Sequence, residues 1–230
     1  MLLLYHNLMS VPSRFVRLVL AECKAGAELT EILPWDRKED FLLVNPAGSV
    51  PVLRENDGPP VCSASVIAEY LDETRGYSLG TRRLLPDHPN GRAEVRRLMQ
   101  WFLEKAVDES GQFFIEEKIY KRMRRPGEGG GPPDSTTLRA ARGNLKIHLK
   151  YIAYLAERRN WLAGEQFSYA DLAAGAFLST IDYLGEVPWD KEPVVKDWYQ
   201  RIKSRPAFRP ILADSIKGIP AANHYMDLDF

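Results

Sequence analysis

Few residues in this chain are of a type and spacing that could do chemistry. Ser10, Pro12 and Ser13 are residues that gather around a helix start. The dipole there favours an anion, so the Ser10 hydroxyl could donate to one, or simply cap the helix. The two cysteines, Cys23 and Cys62, form no C-x-x-C pair and no metal-ligand spacing, and the four histidines are scattered. Neither a disulfide framework nor a metal site is therefore expected. Cys23 falls inside a helical pattern and Cys62 at a strand end, so no cysteine nucleophile stands at the first helix. The glycine-rich run from Pro126 to Pro133 lacks the Lys-Ser/Thr ending of a phosphate-binding loop and reads as a flexible break between helices.

The elements that must position these residues come in two blocks. Leu2 to His6 reads as a strand, and Ser13 to Lys24 as a helix with Val16, Leu20 and Cys23 near one face. Glu28 to Leu33 is a second strand and Asp36 to Val44 a short helix or turn. Val50 to Leu53 and Pro60 to Cys62 flank an Asp57-Gly58-Pro59 turn, and Ser65 to Glu73 closes with a helix, giving the order β-α-β-α-β-β-α. After Gly80 the strands stop. From Ala93 the apolar positions Val95, Leu98, Met99, Phe102, Leu103 and Ala106 recur at three and four, and Leu138 to Ala156 repeats the pattern. The segment from Leu172 to Leu184 is apolar on nearly every side, as in the central helix of a bundle. The division is therefore 1–80 for an α/β domain and 88–230 for an all-helical one, with a tail over about 219–230.

With 45% hydrophobic and 27% charged residues, 230 residues can bury a sizeable core. Lys plus Arg equals Asp plus Glu at 31 each, so no summed field would draw the chain to nucleic acid or an anionic membrane. The apolar start Met1-Leu2-Leu3-Leu4 is interrupted by Tyr5, His6 and Asn7, short of a secretory signal, so a cytoplasmic location is expected.

Two segments resemble the glutathione transferase superfamily. Asn45-Pro46-Ala47-Gly48-Ser49-Val50-Pro51-Val52-Leu53 is similar to its N-P-x-G-x-V-P-x-L run, and Gly164-Glu165-Gln166-Phe167-Ser168-Tyr169-Ala170-Asp171-Leu172 to its G-x-x-x-S-x-A-D-L. The second also reads as an acidic capping box from Ser168 and Asp171. With Trp198, Ile202 and the closing Ser204 to Phe208, the resemblance covers almost the whole chain. It implies a thioredoxin-like N-terminal domain followed by a helical-bundle C-terminal domain, with a cis Val50-Pro51 bond whose Val50 backbone faces the cysteinyl part of glutathione. It also implies that Ser10 would donate to the thiolate in a Ser-type glutathione transferase acting on electrophilic small molecules. The family's acidic residue and serine, which hold the γ-glutamyl end, align here with Ser63 and Ala64. That departure implies weak or absent glutathione binding, no cofactor, and a vestigial cleft marked by Ser10, Ser13, Val50, Pro51, Ser63 and Ala64.

The tail from Ile219 to Phe230 and the stretch Leu33-Pro34-Trp35-Asp36-Arg37 resemble the α-proteobacterial branch of the superfamily that binds the tubulin-like division protein FtsZ. That resemblance implies a non-catalytic homodimer that meets FtsZ filaments at the division site, with no direct membrane contact. In the tail, Tyr225, Leu228 and Phe230 supply apolar area that must either dock back on the helical domain or meet a partner. For a partner, Asp227 and Asp229 would supply specificity and Leu228 and Phe230 affinity, while Trp35 is either packed or an exposed anchor in a surface loop.

Overall fold

The computed structural model describes residues 1–230. β1 (Leu2–His6) buries alternate side chains and lies inside a four-stranded sheet of order β2-β1-β3-β4. It pairs parallel with β2 (Ala27–Glu31), Leu4 opposite Leu29, and antiparallel with β3 (Val52–Glu55), Leu4 opposite Leu53. β4 (Val61–Cys62) closes the far edge against β3. α1 (Val11–Glu22) begins two residues before the expected Ser13, because Pro12 is tolerated in the first turn of a helix. α2 (Glu39–Val44) and α3 (Ala64–Arg75) complete the expected element order, and Val50-Pro51 is cis.

The helical domain opens with α4, which starts at Pro89 rather than Ala93. It runs from Pro89–Gln100 without a break to Lys121–Met123, passing through π-helical stretches at Trp101–Lys105, Val107–Gly111 and Glu116–Tyr120. In these stretches the amides of Ala106, Gln112 and Lys121 reach back five residues, to the carbonyls of Trp101, Val107 and Glu116. In a strict α-helix each four-residue step drifts by about 40°. The wider turns offset that drift, so Met99, Leu103, Val107, Ile115 and Tyr120 all line the same cleft.

α5 (Ser135–Ala156), α6 (Tyr169–Tyr183), α7 (Pro193–Lys203) and the short α8 (Arg209–Leu212) follow. Every residue of α6 is buried. Its capping box forms as expected: Ser168 Oγ accepts from the Ala170 amide at 3.3 Å, and Asp171 Oδ2 accepts from the Ser168 amide at 3.0 Å. Asp171 also accepts from the Leu162 amide and the Trp198 indole, and burial outweighs these donors in pushing its carboxyl up to about 6. No helix is long and apolar enough to cross a membrane.

His6, buried at the end of β1, titrates in the opposite sense. Burial first and then the Arg17 guanidinium hold it down at about 4, with the Asp214 carboxylate opposing. The unfolded chain protonates this group near 6.5, so its contribution to stability is present above that pH and falls as the solution is acidified towards 4. His148 is likewise lowered by burial, whereas Asp171 favours the fold as pH falls from 6 towards 4. The difference between the parent and His6→Phe isolates one group, and about 2 kcal/mol of the parent's loss between pH 7 and pH 5 should vanish in the variant. Identical pH slopes in urea denaturation would assign the effect elsewhere.

Candidate functional site

Where the two domains meet, two adjoining cavities of about 620 and 550 Å³ share Pro12, Ser49 and Val50 in their walls. One wall comes from the sheet domain: the start of α1, the Ser49–Pro51 turn and the start of α3. The other is the face of α4 kept in line by the π-helical stretches.

The sheet-domain wall is shaped by backbone at Val50 and Ser63. Val50 lies outside the ladder, bonds through neither its N–H nor its C=O to the rest of the chain, and lines both cavities. Ser63 sits at φ +74°, ψ 147°, a conformation that a non-glycine residue adopts only when its surroundings impose it. Its amide is tied to the Pro51 carbonyl at 3.3 Å, while its hydroxyl caps no helix amide and lies 3.5 Å from Ser65 Oγ. Ala64 is buried beside it. The cleft thus keeps a bent floor with no acidic side chain at positions 63 and 64.

Its charges are already neutralised or negative. Arg96 is the only cation in the lining, and it is held by Glu69 in a two-pronged pair at 2.6 and 2.9 Å. Glu116 pairs with Arg124, and Glu104 accepts only from the Gln100 amide nitrogen at 3.1 Å. An incoming carboxylate would find no free cation, and the Glu104 charge would oppose it.

Ser10 lines the inner cavity as the residue before α1, and its Oγ accepts from the Ser13 amide at 3.3 Å. Its helix-capping role is therefore realised, and its hydroxyl still borders the cleft. Ser13 does not belong to the cleft, which corrects the sequence reading. It is fully buried in the first turn of α1, where its Oγ accepts from the Asn7 amide. The Cys23 thiol is pushed up to about 11 by burial, so it stays protonated at neutral pH and is no nucleophile.

Of the two readings of Trp35, packing is the one realised. It is half-buried, edge-on to Tyr120 with ring centroids 5.1 Å apart, and the Arg124 guanidinium sits 5.1 Å from its ring centre. Tyr120 in turn donates to Asn7 Oδ1 at 3.0 Å, so this cluster pins the loop after β2 to the end of α4.

The tail is folded back on the protein, so of the two expected fates Tyr225 and Phe230 take docking on the helical domain. Tyr225 is fully buried, accepting from Arg14 and donating to the Ile211 carbonyl, each at 3.1 Å. His224 Nε2 lies 2.8 Å from Oδ1 of the buried Asp182, which also accepts from the Trp189 indole at 2.8 Å. The Phe230 ring packs 5.0 Å from Trp189, with Lys203 Nζ 4.0 Å from its centre. What stays exposed is the turn between these anchors: Met226, Asp227, Leu228 and Asp229. Asp227 braces that turn, its carboxylate accepting from the Asp229 amide at 2.9 Å.

Sequence reasoning missed Arg14, the fully buried centre of the tail's anchorage. Its NH1 donates to Ser179 Oγ at 3.0 Å as well as to Tyr225, and its Nε to the Leu8 carbonyl at 2.7 Å. The signal was an arginine within the apolar run of α1.

Comparison with known proteins matches residues 10–74 to "Glutathione S-transferase, N-terminal domain" and residues 120–206 to "Glutathione S-transferase, C-terminal domain". FtsZ-localized protein A of Caulobacter vibrioides is 42% identical over 230 residues, covering 99% of this chain and 97% of that protein. Among solved structures, a glutathione S-transferase from Sinorhizobium meliloti 1021 is 49% identical, with TM-score 0.97 and 100% of both chains covered. FzlA from C. crescentus is 42% identical, with TM-score 0.92, and covers 100% of this chain and 99% of its own.

Proposed function

The chain belongs to the glutathione S-transferase family, and from that premise we propose that it is an FtsZ-binding protein of bacterial cell division rather than a glutathione-conjugating enzyme. The observation that carries this reading is the 42% identity over 99% of the chain to a protein named for its localisation with FtsZ. The cleft supports it: an acidic, cation-poor pocket with Ser63 and Ala64 at the γ-glutamyl position suits an anionic tripeptide poorly.

The contact with the filament is made by the braced turn Met226–Asp229, not by a flexible tail. Anchoring through Tyr225, His224 and Phe230 orders these side chains before binding, so little further entropy is lost on contact. Asp227 and Asp229 set the partner's charge, and Leu228, 40% exposed, supplies apolar contact. The Asp227→Lys variant should keep its melting temperature yet need at least about tenfold more FtsZ for half-maximal co-sedimentation. Parent-like binding by that variant would remove the turn from the interface.

The protein acts as a homodimer in which the sheet domain of one copy meets the first helices of the helical domain of the other. Two turns on one assembly then engage the filament at high effective concentration, which stabilises or bundles it. Light scattering at micromolar concentration should give twice the 26.2 kDa chain mass; a monomer would contradict this.

The competing reading, a Ser-type transferase, rests on Ser10 bordering the cleft. Turnover of glutathione with an electrophilic acceptor, abolished by Ser10→Ala, would favour it.

A further inference from the structure

α5 stands out by its charges. It carries Arg139, Arg142, Lys146 and Lys150 and not one Asp or Glu. Leu138, Ala141, Leu145, Leu149 and Ile152 are buried, so Arg139, Gly143, Lys146, Lys150 and Tyr154, spaced by three and four, form one outward stripe. Of the four cations only Arg142 is paired, with Glu186 at 2.6 and 2.8 Å. Arg139, Lys146 and Lys150 are exposed and have no carboxylate within ion-pair distance. Lys146 even stands one turn from two like charges, Arg142 and Lys150, where a helix serving only its own stability would place an acid.

Two further features mark this face. Ile147 and Tyr154 project beside the cations, 58% and 52% exposed. Gly143 lies at the centre of the stripe with helical backbone, and a Cβ there would meet nothing within 4 Å. The fold does not require glycine at that position, and glycine weakens a helix interior relative to alanine. What it provides is a notch in which another backbone can approach closely.

We propose that the outward face of α5 is a docking surface for an acidic amphipathic helix of a partner protein. Carboxylates of that helix would face Arg139, Lys146 and Lys150, its apolar side chains would cover Ile147 and Tyr154, and its backbone would come nearest at Gly143. The cations span about 17 Å along a straight helix, a rod-like target that a second helix can follow over three turns. The zero net charge of the chain makes the attraction local, which suits a short acidic segment better than a polyanion drawn by a long-range field. None of these residues lines the cleft or anchors the tail, so the surface is independent of the turn that meets the filament.

The test uses the full chain and a fluorescein-labelled helical peptide of repeated Glu-Leu-Ala-Ala-Glu-Leu-Ala, read by anisotropy at low and high salt. The parent should bind it in a salt-sensitive way, and Lys146→Glu with Lys150→Glu should weaken binding by at least about tenfold at unchanged melting temperature. A peptide with lysine in place of glutamate should show the reverse preference. Gly143→Leu, which has room in the fold, should weaken the acidic peptide without changing any charge. Equal binding by parent and charge-reversed chain would overturn the proposal. So would two other results in that variant: loss of binding to phosphatidylglycerol vesicles when the parent ignores the peptide, or loss of the dimer, which would make the occupant a second copy. FtsZ co-sedimentation should be retained by the variant; its loss would overturn the independence of this surface.

Discussion

Titration calorimetry with reduced glutathione is expected to give no binding in the micromolar range. On the proposed alignment of Ser63 and Ala64 with the family's γ-glutamyl-binding pair, two charge-assisted contacts are lost, each worth roughly 1.5 to 3 kcal/mol. Together they weaken affinity by about two to four powers of ten. For the substrate's carboxylates the cleft offers nothing in compensation, since Arg96 is bound to Glu69 and Glu104 adds a negative charge. Ser63 already has the left-handed backbone that turns its side chain at the cleft floor. Introducing Ser63→Glu with Ala64→Ser should therefore recover at least about tenfold of the lost affinity without refolding the site. A low-micromolar dissociation constant for the parent would restore the enzyme reading.

The largest stability effect is expected at Arg14. Its guanidinium is fully buried and joins α1 to α6, through Ser179, and to the tail, through Tyr225. Truncating a buried, fully hydrogen-bonded charge costs about 3 to 5 kcal/mol when its partners are stranded. Here Asp214 is not stranded, because Arg17 holds it with two bonds of 2.8 Å. Arg14→Met should accordingly cost about 3 kcal/mol in chemical denaturation. Hydrogen exchange should also show faster opening over residues 219–230, since the Tyr225 hydroxyl loses a donor while keeping the Ile211 carbonyl. A loss below about 1 kcal/mol would mean that the buried network is not what couples the tail to the fold.

The parts of the fold that sequence revealed are those set by local chemistry. The β-α-β-α-β-β-α order follows from periodicity, the Val50-Pro51 turn from its motif, and the Ser168–Asp171 cap from residue types three apart. The π-helical stretches of α4 were not read, although the four-residue steps from Met99 to Leu103 and Val107 carried the signal. In the tail, the need of Tyr225 and Phe230 for burial was legible; what covers them was not, because Arg14, Trp189 and Lys203 are distant in sequence. Which of the two readings of Trp35 holds was hidden for the same reason, its partners Tyr120 and Arg124 lying on another domain. The candidate site was legible in its backbone half, Ser10, Val50 and Ser63. The α4 half, with Arg96 satisfied and Glu104 unopposed, required the packing of α3 on α4 to be seen.

Co-sedimentation with GTP-assembled FtsZ filaments tests the central claim most directly. The parent chain at micromolar concentration should enter the pellet in proportion to filament, saturably and irrespective of added glutathione, with Asp227→Lys left largely in the supernatant. A parent chain that remains in the supernatant at every filament concentration, with its fold and mass intact, would contradict it.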